Sequence, residues 1–184
     1  MNNQNIKLSI GSVIPNFKLK STDEKFYLLE SFDSAKYLLV IFSCNHCPYV
    51  QAYEERIISL QDEFLEEGLR VIAINSNDAA THPEDSFEKM QQRAKEKSFN
   101  FYYLHDEDQS VAKAFDAVST PEIFLFDEKR RLVYTGKIDD NWREPERVNS
   151  RYLRDAILEL ISGVEVSVPE TFAIGCSIKW KNKN

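Results

Sequence analysis

LLVIFSCNHCPYVQAY, residues 38–53, carries an apolar run straight into two cysteines at C-x-x-C spacing, with His46 between them and Pro48 after. From Leu38 to Phe42 every residue is aliphatic or aromatic, the composition of a strand buried on both faces, as in a parallel sheet. Beyond Pro48 the positions Val50, Tyr53, Ile57, Leu60 and Phe64 recur at steps of three and four, one apolar stripe on a helix that ends near Gly68. LRVIAIN, residues 69–75, reads as a second buried strand. Strand, helix and strand make a right-handed βαβ unit with the cysteines at the start of its helix.

Working outward, SVIPNFKL and EKFYLLESF suit a β-hairpin with a turn near Thr22 to Lys25, an N-terminal extension over residues 1–36. Glu84 to Lys97 carries Phe87, Met90 and Ala94 at helical spacing and is expected to be a surface helix on the sheet. FNFYYLHD follows as a short strand, and Val111, Ala112 and Phe115 lie on a brief helix capped by Asp106 or Asp108. VSTPEIFLFDEKRRLVYTGKI is an antiparallel hairpin turning at Asp127 to Arg131. A last helix is expected from Pro145 to Ser162, with Val148, Leu153, Ile157, Leu158 and Ile161 facing inward, before a tail over 163–184 without periodicity. No repeat or linker divides the 184 residues, so one domain is expected.

Lys and Arg total 23 against 30 Asp and Glu, a net charge of -7 that disfavours nucleic acid or anionic membrane as partner. The N-terminus shows neither a basic start nor a long apolar run, so no export signal is expected, and the longest apolar run is too short to span a membrane. Three cysteines do not make a disulfide scaffold, and their odd count leaves one unpaired within a monomer. A reducing cytoplasm fits.

A helix N-terminus presents backbone N–H groups without internal partners and a partial positive charge. Cys44 placed there is stabilised as thiolate, the species that attacks disulfides. Cys47, one turn further on, can resolve the mixed disulfide, and Pro48 suits the first helical turn. His46 can favour thiolate through charge or a hydrogen bond, which makes the pair more oxidising. Downstream, Pro121 opens an apolar strand, and a cis Thr120–Pro121 bond would expose a backbone edge for an extended substrate.

FSCNHCPYV after a buried strand, STPEIFLFD before a hairpin, and GSVIPNFKLKSTDEKFYLLESF together resemble the thioredoxin-like superfamily, in its peroxiredoxin-related bacterial branch of alkyl hydroperoxide reductase and thiol-specific antioxidant (AhpC/TSA)-like proteins. The resemblance covers Gly11 to Ile161, and the tail ETFAIGCSIKWK looks like that branch's ending. It implies an α/β thioredoxin-like fold, a central mixed β-sheet flanked by helices with an N-terminal β-hairpin extension. It also implies Cys44 as the attacking thiol, Cys47 as the resolving thiol and Pro121 as a cis-proline facing them. The expected function is a cytoplasmic thiol–disulfide oxidoreductase acting on a protein or small-molecule disulfide or dithiol, without a cofactor. The chain departs from thioredoxins in lacking a tryptophan before Cys44. It departs from peroxiredoxins in having Cys44 where they carry Thr or Ser three residues before the peroxide-reactive cysteine, and Pro121 where they use an arginine.

That alignment leaves a second reading, a thiol peroxidase with Cys47 as nucleophile and antioxidant activity. A third is a metal-binding or non-catalytic module in which Cys44, His46, Cys47 and Cys176 share an ion, although the usual second ligand pair of a zinc site is absent. Cys176, after Gly175, is either a packing residue or an auxiliary thiol that exchanges with the pair. NSNDAATHPEDS, with Asp78, His82, Glu84 and Asp85, reads as a solvated loop leading into a helix, KIDDNWREPER as a charged loop, His105 as a surface residue, and Trp142 and Trp180 as packing residues.

Overall fold

The apolar runs and stripes assemble around one central strand. The computed structural model describes residues 8–182; the first seven residues of the N-terminal extension and the last two of the tail lie outside it. Strands β1 (Lys18–Ser21) and β2 (Phe26–Leu28) form the hairpin, followed by β3 (Tyr37–Ser43), helix α1 (Pro48–Phe64) and β4 (Leu69–Asn75). Helix α2 (Phe87–Glu96), β5 (Tyr102–His105) and α3 (Ser110–Phe115) come next. After them run β6 (Ser119–Thr120), β7 (Glu122–Phe126), β8 (Leu132–Gly136), α4 (Tyr152–Ile161) and β9 (Cys176–Ser177). Seven strands make a mixed sheet in the order β2-β1-β5-β4-β3-β7-β8, with β3 parallel to β4 and antiparallel to β7.

All seven residues of β3 are buried, because alternate side chains meet a different helical layer. Leu38, Val40 and Phe42 pack with Val111, Phe115 and Phe124 on one face. Leu39 and Ile41 pack on the other with Ile57, Leu60 and Phe64 of α1 and Leu153 and Ile157 of α4. All five stripe positions of α1 are buried. Helix α2 joins the α1 face: Met90 packs on Ala73 and Tyr103, and Arg93 pairs with the buried Glu54 of α1 through two bonds.

Two expected elements differ. The last helix starts at Tyr152, not Pro145, because Asp140 closes the preceding loop: its N–H donates to Ser150 and its Oδ1 accepts from the Asn149 N–H. Val148 therefore lies outside the helix, and Leu158 is exposed while Leu153, Ala156 and Ile157 face inward. The tail is not structureless. Residues 169–171 run beside β8, where the Thr135 N–H donates to Pro169 and the Thr171 N–H to Thr135, and residues 176–177 form β9, antiparallel to β6. Two glycines allow this close passage. A Cβ on Gly136 would stand 2.1 Å from Thr171 Oγ1, and one on Gly175 would stand 2.2 Å from the Thr120 carbonyl oxygen. No helix among the described residues is long and apolar enough to cross a membrane.

Candidate active site at the cysteine cluster

Strands β3 and β4 run parallel, so the loops after them leave the sheet at the same end. The first loop is Cys44–Cys47. Its helix begins at Pro48, with Cys47 in extended conformation at the N-cap position. The expectation that Cys44 occupies the helix start is thus corrected by one turn, and the sulfur nearest the unpartnered N–H groups is that of Cys47.

Cys47 is held well below the ordinary thiol range, at about 4, chiefly because the Cys44 thiol hydrogen-bonds to it, with further donation from Cys176 and the Val50 N–H, against the cost of burial. The Thr120 carbonyl oxygen, 3.2 Å from the same sulfur, opposes ionisation by accepting from the neutral thiol. Cys44 moves the other way: its hydrogen bond to Cys47, its burial and the nearby Asp85 carboxylate all hold it protonated. Cys44 Sγ also lies 3.3 Å from Thr120 Oγ1. Both cysteines are buried.

The bond between Thr120 and Pro121 is cis. The backbone edge before it, expected to be open, is covered: Thr120 pairs with Cys176 across β6 and β9. Cys176 Sγ stands 2.9 Å from Cys47 Sγ, with its own pKa pushed up to about 11 by burial and by hydrogen bonding to Cys47. Beside Pro121 lies a cavity of about 20 Å³, lined by Tyr53, Ile123, Ile138, Trp142 and, from the tail, Ile174.

The second loop, after β4, is not the solvated loop that its composition suggests. Asn75, Ser76, Asn77, Asp78 and Asp85 are buried. Asp85 accepts from the Asn45 N–H at 2.6 Å, from Asn75 Nδ2 at 3.1 Å, from Asn77 Nδ2 at 2.9 Å and from His46 Nδ1 at 2.5 Å. Asn45 is bound on all sides: its Nδ2 donates to Glu84, its Oδ1 accepts from Tyr103, and its carbonyl accepts from Gln51. The loop joining the cysteines is therefore clamped by a carboxylate forty positions away. His46 turns to Asp85 and stacks on His82 with ring centroids 5.0 Å apart, and it makes no hydrogen bond to either sulfur among the described residues. Asn45 was missed in the sequence, and Asn75, Asn77 and Asp85 were read there as part of a solvated loop; the parallel strands ending together are the signal that could have found them.

Two other expectations are corrected. Asp139 is buried, accepting from Tyr53 and Arg56, whose guanidinium also lies over the Tyr53 ring. His105 ends β5 half-buried and stacks on Phe87, and burial lowers its pKa. Trp142 does pack, against Tyr49 at 4.4 Å, while Trp180 is 40% exposed. For a metal ion, ligand atoms of Cys44, His46 and Asp85 lie within 4.8 Å of one another. The Asp85 oxygens are already committed to four donors and the Cys44 thiol is held protonated, a donor set that fits hydrogen bonding better than ligation.

Residues 9–151 match the Redoxin family. The chain belongs to that family. Membership supports thiol-based redox chemistry for this redoxin. It is 28% identical over 148 residues to chloroplastic peroxiredoxin Q of Triticum aestivum, covering 77% of this chain but only 63% of that protein's length. An uncharacterised conserved protein from Geobacillus kaustophilus is 37% identical with a TM-score of 0.90, over 97% of this chain and 96% of that one. The thioredoxin domain of a thiol-disulfide oxidoreductase from Bacteroides vulgatus, at 19% identity and a TM-score of 0.60 over 70% of this chain and 89% of that one, shows the shared thioredoxin-like fold.

Proposed function

We propose that this redoxin is a thiol–disulfide oxidoreductase, working as one thioredoxin-like unit in a reducing compartment such as the cytoplasm, in which Cys47 makes the first attack. The observation that carries this reading is the N-cap position of Cys47, with the Cys44 and Cys176 side chains packed against it. The thiolate attacks a substrate disulfide and releases one thiolate; a neighbouring thiol then displaces the other half from the mixed disulfide. Cys44 is the C-x-x-C candidate for that second step. This exchanges the roles that the sequence alone suggests. Thr120 and Pro121 position both sulfurs, the former through its hydroxyl and its carbonyl. His46 and Asp85 hold the loop between the cysteines. The substrate is a disulfide or dithiol, on a small molecule or a protein.

The test is release of thiol from a small disulfide by the reduced protein. Cys47→Ser is expected to abolish the first release and Cys44→Ser to retain it; the opposite pattern overturns the assignment. A second reading, hydroperoxide reduction, is favoured by the likeness to peroxiredoxin Q together with the lowered pKa of Cys47. There the thiolate becomes a sulfenic acid and water forms on disulfide closure. Rapid peroxide consumption, lost in Cys47→Ser and kept in Cys44→Ser, would select it.

A further inference from the structure

The sulfur nearest to Cys47 across the fold comes from a segment 129 positions later in the chain. Strand β9 sets Cys176 opposite Thr120, the residue before Pro121, in antiparallel register. An extended substrate was expected to take that edge, and the chain's own tail takes it instead. The arrangement does not depend on the thiols. The Ile178 N–H donates to Val118, the Lys179 N–H to Asn77 Oδ1, the Asp78 N–H to Lys179, and the Lys181 N–H to Gln109 Oε1. Gly175 lets the strand come this close, since any Cβ there would strike the Thr120 carbonyl. The two sulfurs, 2.9 Å apart, need close by less than about 1 Å to reach the bond length of about 2.05 Å. Cys176 is also less buried than Cys44 and Cys47.

We propose that Cys176 is the thiol that resolves Cys47, with β9 acting as a resident substrate on the β6 edge. The proposal rests on Cys47 being the attacking sulfur. The Cys47 thiolate attacks a small disulfide R–S–S–R′, forming Cys47–S–S–R and releasing R′–S⁻. The Cys176 sulfur then attacks Cys47 Sγ, its proton passing to a released thiolate. The products are a Cys47–Cys176 disulfide, one R–S⁻ and one R′–SH, so the substrate gains two electrons and the protein loses two. Cys44 can afterwards displace Cys176 by the same exchange, which transfers the bridge to the C-x-x-C pair. An extended polypeptide pairs with β6 only after β9 has left.

The experiment uses the full-length reduced Cys44→Ser protein and one equivalent of 5,5′-dithiobis(2-nitrobenzoic acid), a small disulfide whose thiolate is coloured. The proposal expects two coloured equivalents per protein, the second appearing at a rate independent of protein concentration, and a proteolytic peptide joining Cys47 to Cys176. One equivalent, with the adduct remaining on Cys47 and Cys176 still open to alkylation, overturns the proposal and leaves Cys47 as nucleophile. No adduct or bridge at Cys47 overturns the proposed function itself. In the same background Gly175→Ala retains every thiol but forces the strand off β6, and the second release should slow at least about tenfold because proximity is lost. An unchanged rate refutes the role of β9.

Discussion

Replacing Cys176 by alanine should raise the pH at which Cys47 ionises. The Cys47 sulfur is poised at about 4 because it receives hydrogen bonds from Cys44, Cys176 and the Val50 N–H at the start of α1. A hydrogen bond to a charged group contributes about 1.5–3 kcal/mol, and thiols are weak donors, so the low end applies to each sulfur donor. At 1.36 kcal/mol per pH unit, losing one such donor moves the midpoint by roughly one unit. Cys176→Ala should therefore ionise at higher pH than the wild type, and Cys44→Ala/Cys176→Ala, with Cys47 as its remaining thiol, at higher pH still. Absorbance at 240 nm against pH reads the double variant directly, and isotope-coded alkylation of the Cys47 peptide reads the wild type and the single variant. A wild-type midpoint near the usual thiol value, or a midpoint unmoved by loss of both donors, refutes the account of why Cys47 is the reactive sulfur.

The same shift sets a pH dependence of stability. Cys47 has a folded-state pKa below its ordinary 9.0, so the unfolded chain binds the extra proton between that value and about 4; its contribution is complete above about 9 and is lost as pH falls toward 4. Cys44 and Cys176 are shifted upward, so their contribution is present below 9.0 and declines as pH rises beyond it. Urea melts of the wild type against a variant without cysteines should show the largest difference near pH 9, and a difference that grows steadily toward pH 5 would contradict this. Asp85→Ala removes one carboxylate from four buried donors and should lower unfolding free energy by about 3 kcal/mol, read by chemical denaturation; a change under about 0.5 kcal/mol would show that the clamp on the cysteine loop is not structural. Ile41→Ala, in the fully buried centre of β3, should cost about 2–5 kcal/mol in the same assay, and a near-neutral result would contradict the packing described for that face.

The β3–α1–β4 unit was legible because its signals are long and regular: a seven-residue buried strand on each side of a seventeen-residue helix with an unbroken apolar stripe. Position within the site was harder. A shift of one turn in where α1 begins decides whether Cys44 or Cys47 meets the free N–H groups, and Pro48 is compatible with either start. Strand β9 is two residues long, so it has no periodicity to read, and what holds it lies in contacts with Val118, Thr120, Asn77 and Gln109. The Asp85 network was hidden for the same reason. Polar residues in a loop look solvated until the fold brings their partners, and here those partners come from β4, β5 and the cysteine loop.

Ribosomes build the chain from its amino end, and that order matters for a site completed by a late segment. Cys44 and Cys47 leave the exit tunnel, and β3, α1 and β4 can associate, while about a hundred residues remain to be made before Cys176 arrives. Throughout that interval the Cys47 sulfur lacks the Cys176 neighbour that β9 later sets 2.9 Å from it. In nascent molecules that sulfur therefore lacks the neighbour that β9 brings it, until β9 pairs with β6.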